Sequence, residues 1–197
     1  LVVVVVLLCR ASGEPPRAAL LLCSGGRDHS VRVWAVDTRD CLYTIRSHSR
    51  WITALTIGRM AGDADAEYVA SGCAGGRVCA HSLRDGASLG CLAGHGRQVT
   101  VLRARGTRLV SASMDRTIAA WDLAPLCSRE RDAPTRSTLD CERVAWSERC
   151  REECPSWRDC SDRSDHEQKP LLVLCEHTDF VRAVQFDHER IISSSDD

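Results

Sequence analysis

Asparagine is missing from these 197 residues. No Asn-x-Ser/Thr site exists, so N-glycosylation is excluded. Lysine is nearly missing as well. Lys169 stands alone and arginine supplies the rest of the 26 basic residues, a bias of coding rather than of physics. An excess of either charge is also lacking. The formal net charge is -1, so no basic field draws the chain to nucleic acid. No stretch is apolar for long enough to cross a bilayer, which takes about 20 residues, and no membrane partner is expected. There is no G-x-S-x-G elbow, no P-loop and no G-x-G-x-x-G. That removes the common local signatures of hydrolases and nucleotide-binding enzymes, and no cofactor is expected.

What is present in quantity is cysteine, at 12 residues. In a small secreted domain such a count suggests a disulfide framework. Here Cys23, Cys41, Cys73, Cys79, Cys91 and Cys175 fall within or beside strand-like segments, where free cysteine behaves as a small buried hydrophobe. The reading favoured is a reduced, intracellular chain, cytoplasmic or nuclear. The hydrophobic fraction of 44% suffices for a core.

Repetition organises the rest. SASMDRTIAAWD, Ser111 to Asp122, reads as the end of a strand, a turn and a second strand, Thr117 to Trp121. The same pattern stands at Ser24, Asp28 and Trp34, returns worn at Ser71, and begins again at Ser193. Successive serines lie 47, 40 and 82 residues apart. A histidine column at His48, His95 and His177 has intervals of 47 and 82. A period of roughly 40 to 45 residues with four short strands per unit is that of a β-propeller blade.

These residues resemble the WD40 repeat family, whose signature pair stands at Trp121-Asp122. The resemblance implies an all-β chain, a β-propeller of about three and a half blades forming an open arc, with a long insertion. It also implies one buried hydrogen-bonded set per blade. His95, Ser111, Asp115 and Trp121 would form it in the third blade. His48 and Ser71 would keep half of it in the second. Ser24, Asp28 and Trp34 would keep most of it in the first, and His177, Ser193 and Asp197 would supply it in the fourth. A Ser-His-Asp trio invites a hydrolase reading, but this trio recurs once per blade, as a catalytic site would not. In the second blade Gly75 replaces the expected Asp and His81 the expected Trp; His81 is read as filling a worn position rather than as a ligand or base.

In chain order, Leu1–Leu8 reads as a buried strand, innermost in the first blade, since Val-rich runs suit sheets covered on both faces. A clipped signal peptide is the alternative. Ala18–Ser24, Ser30–Ala35 and Asp40–Arg46 supply three more strands. WITALTI opens the second blade and a loop is expected over Gly58–Ala66. Val99–Arg103 and Thr107–Ala112 open the third. VRAVQFDHERIISSS repeats that short hairpin in the fourth, and Val181–Ser193 is similar to the blades of the F-box/WD40 substrate receptors. An F-box itself would lie upstream of residue 1.

An insertion can be sized directly. Trp34 to His48 and His81 to His95 are each 14 residues, whereas Trp121 to His177 is 56. The excess, 56 − 14 = 42, falls between the third and fourth strands. The division expected is therefore blades one to three over 1–123, an insertion over 124–169, and the end of blade three with part of blade four over 170–197. Pro170–Leu174 reads as the delayed fourth strand. Rich in charge and poor in aliphatics, the insertion is expected to be disordered. It holds Cys127, Cys141, Cys150, Cys154 and Cys160, with His166 beyond. Zinc fits poorly, for no C-x2-C pair is present. Disulfides, unpaired thiols and a gene-model error are the other readings.

The loops HSRWI, HGRQV and HTDFV align, placing Trp51, Gln98 and Phe180 in one column and Arg50, Arg97 and Asp179 in another. Both columns would line the channel rim of one face. Aromatics and arginines there suit a protein partner, and arginines suit a phosphorylated motif. Trp51 and Phe180 packing between blades is the alternative. The function implied is a non-catalytic protein-interaction scaffold, in its sharper form the substrate-recruiting part of a cullin-type ubiquitin ligase. The competing readings are a metal or enzymatic protein using the cysteine-rich insertion, and a non-functional fragment. An arc of blades with open flanks is expected to be marginally stable alone.

Overall fold

The computed structural model describes residues 8–10, 20–59, 67–124, 145–146 and 167–197. They form antiparallel sheets packed side by side as propeller blades. The first blade orders β1 (Leu8–Arg10), β2 (Leu20–Gly25), β3 (Val31–Ala35) and β4 (Cys41–Ile45) from one edge to the other. The second follows with β5 (Ile52–Arg59), β6 (Glu67–Cys73), β7 (Val78–Ser82) and β8 (Ser88–Leu92). The third contains β9 (Val99–Arg105), β10 (Arg108–Ser113) and β11 (Ile118–Asp122). Its fourth strand is β14 (Leu172–Leu174), which pairs with Ile118–Ala120 across the insertion. β15 (Val181–Phe186) and β16 (Ile191–Ser195) make the hairpin of the fourth.

Side-chain alternation decides which faces are buried. In β3, VRVWA alternates buried and half-buried, with Val31, Val33 and Ala35 inward. β6 is buried along its whole length, because its sheet has neighbours on both faces. Leu21, Val33, Ile45, Ile52, Leu55 and Val69 fill the gap between the first and second blades. Tyr68, Leu92, Leu102, Leu109 and Trp121 fill the next gap. Val101, Val110, Ile118, Val181 and Val184 fill the third. The free flank of β16 faces solvent, and Ile192 is 68% exposed.

Small residues set the spacing between blades. A Cβ on Gly72 would lie 2.6 Å from Val99 Cγ1 of the next blade. Gly25 makes the same approach to Ile52 one blade earlier. Turns between the second and third strands repeat a left-handed residue: His29 (φ 65), Gly76 (φ 84) and Arg116 (φ 72).

Several expectations change here. Cys79 and Cys91 are not separate thiols but a disulfide joining β7 to β8. They are directly opposed in register, with Cα atoms 4.2 Å apart, so geometry delivers the pair whatever the other cysteines do. Cys41 is exposed rather than buried, Cys175 is disulfide-bonded rather than free, and Cys23 and Cys73 are buried free thiols. Burial, with the Glu67 carboxylate nearby, pushes the Cys23 thiol up to about 12. The insertion contributes to the fold. β12 (Ala145–Trp146) pairs parallel with β14, and β13 (Glu167–Gln168) pairs parallel with β8. The rest of the expected disorder, and Cys127, Cys141, Cys150, Cys154, Cys160 and His166, lie outside the described residues. So do residues 1–7 of the apolar run; Leu8 begins β1, which pairs with Leu20–Leu22. Gly58 and Arg59 prolong β5 rather than opening a loop.

Candidate functional site

The third blade brings its polar column together. β9 and the loop before it carry His95 against the turn between β10 and β11. His95 Nδ1 lies 3.0 Å from Asp115 Oδ2, and Nε2 lies 2.8 Å from Ser111 Oγ. Trp121 Nε1 donates to the same hydroxyl at 2.8 Å. One proton placement satisfies the set: Nδ1–H donates to the carboxylate, and Ser111 donates to Nε2 while accepting from the indole. Thr117, which no motif pointed to, is a fifth member. Its hydroxyl donates to Asp115 Oδ1 at 2.5 Å and lies 3.0 Å from His95 Nδ1. Burial works against ionisation of Asp115. The adjacent His95 and the hydrogen bonds from His95 and Thr117 outweigh it and hold the carboxyl down at about 2. Ser111 has no exposed surface, so its hydroxyl is a bridge within the core and out of reach of any substrate.

The fourth blade assembles His177, Ser193 and Asp197. His177 Nε2 is 2.8 Å from Ser193 Oγ and Nδ1 is 3.1 Å from Asp197 Oδ1. In the first blade Trp34 donates to Ser24 at 2.8 Å. Asp28 turns outward there, accepting from Arg32 at 2.7 Å. The second blade keeps His48 Nε2 at 2.8 Å from Ser71 Oγ. The Nδ1 atoms of His48 and of His81 are buried without a hydrogen-bond partner.

The six rim positions lie on loops tied to these turns. Ala74 N donates to Trp51 O at 2.8 Å, Met114 N to Gln98 O at 2.9 Å, and Asp196 N to Phe180 O at 3.1 Å. All three loops therefore border one face. Trp51 is 48% exposed, and the Arg27 guanidinium of the first blade sits 4.6 Å over its ring. This contact bridges two blades while leaving much of the indole open. Phe180 is half-buried, with Arg182 5.6 Å over its ring. Arg50 and Arg97 are exposed, and Asp179 accepts from the Phe180 amide at 2.7 Å. Sequence reasoning missed Arg27, because a lone arginine in a turn carries no signal.

Between β4 and the second blade runs a groove of about 380 Å³ lined by Tyr43, Arg46, Ser47, His81, Asp85 and Ser88. Among the described residues no three His, Cys, Asp or Glu side chains lie close enough to hold a metal.

Comparison with known proteins bears on these sheets. Residues 86–122 match the family model described as WD domain, G-beta repeat. The chain is 31% identical over 105 residues to the sterol regulatory element-binding protein cleavage-activating protein of Xenopus laevis, covering 53% of this chain and 8% of that protein. It is 36% identical over 118 residues to a probable inactive protein kinase of Dictyostelium discoideum, covering 52% of this chain and 8% of that one. A stretch of 43 residues is 54% identical to the nuclear distribution protein PAC1 of Fusarium vanettenii, 21% of this chain and 10% of the relative. The matches thus span only a small part of these relatives' lengths. Two solved structures of computationally designed proteins, Ika8 and Ika4, each superpose with a TM-score of 0.56 over 89% of this chain. Their identities are 21% and 22%, and the match covers 40% of the Ika8 chain and 79% of the Ika4 chain. That likeness is one of fold.

Proposed function

As a chain of the WD40-repeat family, this protein is, we propose, a protein-interaction scaffold whose partner docks on the face carrying Arg50, Trp51, Arg97, Gln98, Asp179 and Phe180. The observation that supports this reading is Trp51. A large aromatic, 48% exposed and braced by Arg27, stands on a loop anchored at both ends. Such rigid aromatic and arginine groups carry most of the energy in interfaces. The Ser-His-Asp sets tie strands within a blade, buried in the third and part-exposed in the fourth, and leave recognition to the rim. The partner is a protein or peptide, and a phosphorylated motif suits Arg50 and Arg97, whose guanidinium forks match phosphate oxygens. Nucleic acid and membrane are not part of the reading, given the net charge of -1.

A narrower form makes the chain the substrate-recruiting part of a cullin-type ubiquitin ligase. The compact hairpin β15–β16 supports it, with its turn fixed by Asp187 Oδ1 accepting from the amides of Glu189 and Arg190. Co-elution of the full-length gene product with the ligase adaptor tests this form.

The broader reading is tested by fluorescence polarisation against arrays of phosphorylated and unphosphorylated peptides. For any peptide bound, Trp51→Ala is expected to weaken affinity at least tenfold, about 1.4 kcal/mol or more. His188→Ala, in the β15–β16 turn at the opposite end of the strands, is expected to change it less than twofold (about 0.4 kcal/mol). Equal effects of the two variants would place the site elsewhere.

A further inference from the structure

We propose that the second blade is a proton-sensitive latch: in acid, charge placed on His48 and His81 releases the loop from Ser47 to Trp51, and with it the exposed indole of Trp51.

The argument is a comparison of blades. In the third, His95 Nδ1 has two oxygen partners, Asp115 and Thr117. In the second, Gly75 stands 40 residues before Asp115, and Arg77 stands 40 before Thr117. A carboxylate is gone, and a hydroxyl has become a cation. His81 likewise stands 40 before Trp121, so an indole has become a second imidazole. Ser71 donates to Cys79 O at 3.3 Å. Its oxygen is therefore left to accept from His48 Nε2–H at 2.8 Å, and Nδ1 keeps a lone pair with nothing to accept from. A further proton would create an N–H with no acceptor, a costly buried group.

The neighbours do not compensate. His48 faces Ser71, His81 and Arg77, and the latter two disfavour a positive charge on it. His81, 3% exposed, borders the groove with Tyr43, Arg46, Ser47 and Asp85. Asp85 is committed to its own turn, accepting from Ala87 N at 3.0 Å. Glu67, at the far end of β6, is paired with Arg59 at 2.8 Å.

Burial, then His81 and Arg77, hold His48 down at about 4; burial holds His81 at about 4. Both are bases whose folded values lie below the ordinary value of 6.5. The open state therefore takes up protons first. Stability is complete above about 6.5 and is lost as pH falls toward about 4. Besides His48, the loop is tied by Trp51 O to Ala74 N, Ile52 N to Gly26 O, and Arg27 over the ring.

Hydrogen exchange of the whole chain at pH 7.5 and pH 5.0, corrected for intrinsic rates, tests the latch without any partner, so its outcome is independent of the interaction reading. Protection of the Ile52 and Ala74 amides, which tie the loop to Gly26 and Trp51, is expected to fall about tenfold in acid while β9 and β10 keep theirs. Gly75→Asp with Arg77→Thr copies the third blade, and no left-handed φ bars a side chain at Gly75. That variant is expected to keep most of its protection at pH 5.0, His81 being left to titrate. Should it not fold, His48→Gln keeps a donor for Ser71 without titrating, and the acid loss is expected to shrink to the part that His81 carries. Unchanged protection in the wild type, loss spread evenly over all blades, or undiminished acid loss in a folded variant would overturn the proposal.

Discussion

At Ser111 a single hydroxyl serves two buried groups. It accepts from Trp121 and meets His95 Nε2, each at 2.8 Å. Ser111→Ala strands both, and each stranded group costs about 1–3 kcal/mol. The expected loss is roughly 2–4 kcal/mol in urea unfolding. Ser24→Ala in the first blade strands only the indole of Trp34, which is half-buried, and is expected to cost about 1 kcal/mol. Equal losses would show that the histidine contributes nothing. At this scale the sequence was readable wherever a residue type recurred at the repeat interval. Thr117 was not, because the second blade has Arg77 and the first Ser30 at that position. The left-handed turn position was hidden for a similar reason. His29, Gly76 and Arg116 occupy it, and only the glycine announces such a backbone.

Between elements, the blades are stitched by threonines on their first strands. Thr53 Oγ1 donates to Val99 O and Thr100 Oγ1 to Val181 O, both at 2.6 Å. Thr53 to Thr100 is again 47 residues, so the signal was present. It lay in an alternating strand pattern that explains a half-buried threonine without any such bond. Thr100→Val keeps the shape and the β-branch but leaves Val181 O short of a donor. A cost of about 1–2 kcal/mol is expected, with an unchanged m-value in urea. A neutral effect would mean that the packing of Val99, Val101 and Val181 suffices alone. Strand existence was legible in all four blades, and strand ends shifted by one or two residues except in β1, which runs Leu8–Arg10 where Leu1–Leu8 was expected, residues 1–7 lying outside the described residues. β12 and β13 were illegible for a physical reason. Two residues have no period, and what places Ala145–Trp146 and Glu167–Gln168 is backbone pairing with the outer edges of β14 and β8, which any sequence supplies.

For the molecule as a whole, the second blade is the one to watch. It lies between two others, it lacks the Asp and Trp of the repeat, and it carries the Cys79–Cys91 bond. That bond closes a separation of 12 residues, for which the chain-entropy model gives roughly 3 kcal/mol as an upper figure. Its removal is expected to lower Tm by several degrees, at about 2–4 °C per kcal/mol for a chain of this size. Thermal melts of Cys79→Ser/Cys91→Ser against the parent chain, both without reductant, measure this bond alone, because Cys175 is disulfide-bonded as well. An unchanged Tm would mean the bond forms without stabilising the native state.

The threonine stitches have a bearing on how such a chain can change over generations. Each runs from a side chain to a main-chain oxygen, and every residue has that oxygen. A unit therefore asks nothing particular of its successor beyond a strand in the right place. Duplicating or losing one whole period would join old neighbours to new ones without a misfit at the seam, whereas a cut inside a period would leave a donor facing nothing.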